Sequence, residues 1–162
     1  MRLLDFILKP QNKETISPAK ELLKKLDTAL IVQTISEVES NTTAELRIHI
    51  EDTTHNQEVY ARAKQCFKQL GMTQTTERNG VLIYIAVADH KLAILGDKGI
   101  YEKINPNYWV EIKDNLIKSF KKEEYTQGIV EAIKKIGKIL SEYFPNTTGN
   151  KRDELSNEIS IG

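Results

Sequence analysis

Three carboxylates in this chain sit where strands end. Glu51 and Asp52 close the alternating segment ELRIHIE, and Asp89 stands with His90 between two apolar runs, VLIYIAVA and KLAILG. Carboxylates gathered in one place suit a hard divalent cation, Ca²⁺ or Mg²⁺, which binds through oxygen. Asp97, in Gly96-Asp97-Lys98-Gly99, forms a second candidate group with Glu45 and Glu39. The bland alternative is turn chemistry: Asp is an ordinary hairpin-turn residue, and Gly96 and Gly99 look like a loop that needs positive φ.

Other chemistries find little support. The chain has no G-x-S-x-G elbow, no phosphate-binding P-loop and no G-x-G-x-x-G. His49, His55 and His90 show no H-x-x-x-H spacing and no Cys/His motif, which argues against zinc. His49 lies on the polar side of its strand and reads as solvated or hydrogen-bonded. The single cysteine, Cys66, falls on the apolar side of a predicted helix and reads as a small buried hydrophobe. With one cysteine no intrachain disulfide forms.

The positions of the acids follow from the elements around them. Ser17-Pro18 is a helix start, with Pro at the first helical position. Leu22, Leu23, Leu26, Leu30, Ile31, Ile35 and Val38 recur at helical spacing, and Asp27-Thr28 is a point where one helix could become two. In 45–51, Leu46, Ile48 and Ile50 alternate with Arg47, His49 and Glu51, as in a half-buried strand. Residues 56–70 read as a helix with Val59, Ala63, Cys66, Phe67 and Leu70 on one face and Gly71 as its stop. VLIYIAVA (81–88) is a strand covered on both faces, and KLAILG (91–96) returns antiparallel to it. Asn105-Pro106 starts a helix carrying Trp109, Ile112, Leu116 and Phe120, and a last helix spans 126–143 up to Phe144-Pro145.

A helix between strands 45–51 and 81–88 requires a right-handed parallel crossover. With the hairpin the sheet is mixed, and the helices are too many for one face. The fold class is therefore α/β: a mixed sheet sandwiched between helices (α/β/α), as a single domain. A two-residue turn at Asp89-His90 would pair Ala88 with Lys91, Tyr84 with Leu95 and Leu82 with Asp97. Asp89 and Asp97 would then lie ~15–20 Å apart at a rise of ~3.3 Å per residue. Glu51, Asp52 and Asp89 would share the carboxyl end of the parallel strands, where open α/β sheets bind ligands.

Composition sets the outer bounds. The 162 residues carry 23 Lys and Arg against 23 Asp and Glu, a net charge of zero, which gives no electrostatic footprint for nucleic acid. Residues 1–16 form an N-terminal segment whose Leu3, Leu4, Phe6, Ile7 and Leu8 need cover, from the domain itself or else from a protein partner or a membrane surface. Residues 17–145 are the domain, and the polar stretch 146–162 is expected to be a disordered tail. No secretory signal pattern or membrane-length apolar run is present, so the expectation is a cytoplasmic, monomeric protein that does not span a membrane.

The order of these pieces resembles the TPM domain family. The resemblance rests on Glu39 with Thr43-Ala44-Glu45-Leu46-Arg47, on Asn79-Gly80-Val81-Leu82-Ile83-Tyr84-Ile85-Ala86, and on Asp89-His90-Lys91. Gly96-Asp97-Lys98-Gly99-Ile100, Trp109 and Phe144-Pro145 complete it, over about residues 27–145. It is nearest to the short bacterial forms. It implies a mixed sheet between helices and divalent-metal binding through acidic residues. It also implies one of three roles: an accessory or regulatory cation-binding domain, an acid phosphatase as attributed to plant members, or an interaction module as in receptor-associated animal members. Two positions depart from the common pattern. His90 stands where many members carry Arg, the natural bidentate phosphate clamp, and Gly96-Asp97-Lys98-Gly99 replaces a Gly-aromatic-Gly run.

Overall fold

Ser17 and Pro18 open the first helix of the computed structural model, which describes residues 16–149 and 154–162. In α1 (Pro18–Lys25) the Ser17 hydroxyl accepts from the Lys20 N–H, and Pro18 takes the first turn, where its missing N–H costs nothing. The helix stops at Leu26, and Asp27 caps α2 (Thr28–Glu39) by accepting from the Leu30 N–H at 3.0 Å. The leucine stripe is thus two helices, broken where a capping side chain competes with helix continuation.

Then follow β1 (Glu45–Glu51), α3 (Val59–Gln69), a 3-10 turn at Met72–Gln74, and the hairpin β2 (Gly80–Ala86) and β3 (Lys91–Gly96). Three helices come next: α4 (Lys98–Lys103), α5 (Asn107–Lys121) and α6 (Tyr125–Tyr143). Gly71, at φ 71°, ends α3 in the left-handed conformation that glycine tolerates. A two-residue strand, β4 (Ser160–Ile161), completes a four-stranded sheet of order β3-β2-β1-β4. β1 runs parallel to β2 and β4, and β2 antiparallel to β3. The chain is one domain, a mixed sheet flanked by helices. Among the described residues no helix is long and apolar enough to cross a membrane.

Alternation along the strands divides the core. Leu46, Ile48, Ile50, Val81, Ile83, Ile85 and Ile94 face α1, α2, α5 and α6. Leu82, Tyr84, Ala86, Ala93 and Leu95 face α3, where they meet Ala63, Cys66 and Phe67. Next to β1, Thr42 and Phe144 tie the chain after α2 to the end of α6: the Thr42 hydroxyl donates to the Phe144 carbonyl at 2.6 Å, and the Thr43 N–H to the same carbonyl at 2.9 Å.

Four expectations change. β1 is buried along both faces apart from a half-buried Arg47, because α3 and the chain's last residues cover its polar side. The hairpin register is shifted: Ala86 pairs with Lys91, Tyr84 with Ala93 and Leu82 with Leu95. Val87 and Ala88 leave the ladder to donate to the carbonyls of Glu51 and Asp52, so the turn widens to 87–90 with His90 at φ 52°. Gly96 and Gly99 have no positive φ. They are small because a Cβ at Gly96 would lie 2.5 Å from Ile100, and one at Gly99 would lie 2.3 Å from the Glu77 carbonyl oxygen. Asp97 between them caps α4. The polar tail supplies β4, and its Leu155 and Ile159 pack on opposite cores. Residues 1–15 of the N-terminal segment proposed as a partner site lie outside the described residues.

Candidate functional site

The parallel register brings Glu51, Asp52 and Asp89 to the carboxyl end of β1 and β2. Two backbone bonds fasten the loop after β1 to the hairpin turn: Val87 N–H to the Glu51 carbonyl at 2.9 Å and Ala88 N–H to the Asp52 carbonyl at 2.8 Å. The three carboxylates then diverge. Asp52 Oδ1 accepts from the Ala19 N–H at 2.8 Å, which ties the loop to the start of α1. Asp89 Oδ2 accepts from the Thr54 N–H at 2.7 Å. Asp52 and Asp89 are half-buried, and among the described residues each has its other oxygen outside any hydrogen bond.

Glu51 turns to the opposite face of the sheet, under α3. Arg62 grips it with a fork: Nε to Oε1 at 2.7 Å and Nη2 to Oε2 at 2.9 Å. The Tyr84 hydroxyl donates to Oε1 at 2.5 Å. Burial by itself would raise this carboxyl; the bonds from Arg62 and Tyr84 outweigh it and hold the group at about 2, against an ordinary 4.5. Burial and the same bond from Tyr84 push that phenol well above its usual range.

Beside Glu51 stand His49, two residues back on the same face of β1, and Cys66 of α3. One donor atom from each of His49, Glu51 and Cys66 lies within 4.8 Å of the others, and all three residues are buried. This is a group of potential metal ligands. His49 Nε2 is 3.5 Å from Glu51 Oε2, and Nδ1 is 3.0 Å from the Ser160 hydroxyl on β4. Burial lowers the His49 imidazole, and Glu51 only partly offsets this, so the ring favours its neutral form. Burial also pushes the Cys66 thiol up. Sequence spacing did not reveal this group, because its members come from a strand and from the helix that crosses over it. One signal was available. The apolar face of the crossover helix carries Cys66, and that helix must cover one face of β1.

At the other sheet end Asp97 accepts from Arg78 through both oxygens, Nε to Oδ2 at 2.6 Å and Nη2 to Oδ1 at 2.8 Å. Glu45 Oε1 accepts from the Glu154 N–H at 2.7 Å, and Glu39 Oε1 from the Leu46 N–H at 3.3 Å. These acids share an end of the sheet, and each has its own protein donors.

The fold and its acid-rich strand ends place the chain in a class of mixed-sheet α/β/α domains. The profile described as TPM domain matches residues 16–139, and the chain belongs to that family. Among solved structures it is similar to the BA42 protein of the psychrophilic bacterium Bizionia argentinensis, at 39% identity and a TM-score of 0.77, over 83% of this chain and 92% of that one. It also shares the fold of the N-terminal domain of the cg2496 protein of Corynebacterium glutamicum, at 10% identity and a TM-score of 0.55, over 88% of this chain and 84% of that one. No curated protein matches the sequence.

Proposed function

We propose that this TPM domain binds a divalent cation, Ca²⁺ or Mg²⁺, at the carboxyl end of β1 and β2, in an accessory or regulatory role. Asp52 and Asp89 are the principal ligands. The observation that carries this reading is the fastening of their two loops, which holds both acids at one end of the sheet with one oxygen each anchored by a backbone N–H. Anchoring fixes the direction of the remaining oxygen, and a hard cation completes its shell with backbone carbonyls and water. Glu51, the third acid of this end, is engaged by Arg62 and Tyr84 and contributes charge rather than a ligand here.

The test is an amide NMR titration of the chelator-treated chain with Ca²⁺ and then Mg²⁺. Saturable shifts at 52–54 and 87–91 are expected, and their loss in Asp52→Asn or Asp89→Asn. Shifts confined to 39–45 and 96–100, or none at millimolar cation, would overturn the assignment. The phosphatase alternative is checked in the same samples by metal-dependent hydrolysis of a simple phosphomonoester, abolished by Asp89→Asn.

An interaction role is a second reading. It is favoured by an apolar groove of about 470 Å³ lined by Leu22, Ile85, Val87, Leu92, Ile117 and Phe120, beside His90 and Lys91. The other apolar stretch proposed for a partner is the N-terminal segment, and deletion of residues 1–10 would abolish capture of a partner held there and leave the cation response unchanged.

A further inference from the structure

On the α3 face of β1 the geometry points to a second site of different chemistry: His49, Glu51 and Cys66, with His55 at its solvent side, bind a borderline-soft ion of the zinc class. Two imidazoles converge on one carboxylate oxygen. His49 Nε2 lies 3.5 Å and His55 Nε2 3.8 Å from Glu51 Oε2. Metal–donor bonds of ~2.0–2.2 Å at tetrahedral angles set two donor atoms roughly 3.4 Å apart, so His49 Nε2 and Glu51 Oε2 need little movement to share an ion, and the exposed His55 would swing in to join them. Cys66 adds sulfur within the same 4.8 Å group. Nitrogen, sulfur and one carboxylate oxygen suit zinc, whereas Ca²⁺ and Mg²⁺ take oxygen. The site therefore shares no ligand with the one formed by Asp52 and Asp89.

The surroundings support the donors. Ser160 holds His49 Nδ1 at 3.0 Å, and a hydroxyl serves as donor or acceptor. With an ion on Nε2 the Nδ1–H donates to Ser160, the outer bond that orients a metal-bound histidine. Glu51 Oε1 stays with the Tyr84 hydroxyl and Arg62 Nε, while the ion takes Oε2 from Arg62 Nη2. Arg62 keeps a further hold through Nη1 on Gln65 at 3.1 Å. Its guanidinium balances the Glu51 charge until the ion arrives. The Cys66 thiol proton then passes to solvent as the thiolate forms.

β4 closes the site from above. The Gly162 N–H donates to the Ile50 carbonyl at 2.9 Å, and a Cβ on Gly162 would lie 2.8 Å from both Glu51 Oε2 and His49 Nε2. Glycine here lets the backbone pass over the donor pair without displacing either side chain. The open approach is past His55, which is exposed.

The test is a titration of the full chain, reduced and chelator-treated, with Cd²⁺ as the zinc-class probe. The readouts are the ultraviolet thiolate-to-cadmium band and the ring-nitrogen resonances of His49. A saturable band and a shift at His49 Nε2 larger than at Nδ1 are expected. Cys66→Ser should remove the band, and His49→Gln should weaken binding at least tenfold. Excess Ca²⁺ and the Asp52→Asn and Asp89→Asn substitutions should leave both signals unchanged. No band at saturating Cd²⁺, or a band with His49 Nε2 unmoved, overturns the proposal. Both outcomes are read on the native chain and do not depend on a variant that folds.

Discussion

Two arginine–carboxylate forks sit at opposite ends of the sheet, and their surroundings differ. Glu51 and Arg62 have side chains only 2% and 15% exposed, with Tyr84 and His49 around them. Asp97 is 7% exposed, but Arg78 is 45% exposed, and Asp97 also caps α4 through the Lys98 N–H. The bond lengths are alike. What differs is whether water can replace the partner. A solvated pair contributes little, whereas a buried charge that loses its partner is left without compensation. The Asp97 fork therefore reads as a clip on the turn into α4, and the Glu51 fork as a charge held in reserve inside the domain.

The largest expected effect breaks the inner fork. Arg62→Ala should cost about 3 kcal/mol in urea unfolding, the low end for a broken buried pair, because Tyr84 still donates to Glu51. A cost below about 1 kcal/mol would erase the distinction between the two ends. Next in size is Gly99→Ala, whose Cβ meets the Glu77 carbonyl at 2.3 Å. A loss of about 1–3 kcal/mol is expected from overpacking against backbone, and an unchanged melting temperature would show that this turn relaxes freely. Asp97→Asn should cost about 1 kcal/mol or less, since Asn also caps helices; a loss matching that of Arg62→Ala would make the two forks equivalent.

Acid sharpens the same contrast. The folded Glu51 carboxyl is depressed, so its stabilisation is complete above its ordinary value of 4.5 and is lost as pH falls toward about 2. Thermal melts of the native chain should show this acid limb, and Glu51→Gln should flatten it. An unaltered limb in that variant would place the titration elsewhere.

Much of the fold was legible because periodicity reports burial directly. The stripes of α5 and α6, the all-apolar β2 and the parallel crossover follow from residue spacing and chain connectivity. So did the placing of Glu51, Asp52 and Asp89 at one end of the sheet, though not the divergence of their side chains. What stayed hidden depends on contacts between distant segments. The two-residue shift of the hairpin comes from Val87 and Ala88 bonding to the loop after β1, a competition that no local pattern encodes. The small size of Gly96 and Gly99 reflects neighbours rather than φ. The polar side of β1 looked solvated because its cover comes from the last residues of the chain, whose own sequence is polar. Glu51 could be placed in the sheet from sequence, but not aimed: its use depends on Arg62 lying on the helix above.

His49 and Ser160 are 111 positions apart, and between them the chain makes every other element after β1. On the ribosome, β1 therefore emerges long before the strand that covers its edge. During that interval one side of the sheet offers unpaired backbone groups, the kind of edge on which strands of other molecules add. The two-residue strand is a late closure of the fold, and nascent chains stalled short of residue 160 should be more prone to associate than the finished protein.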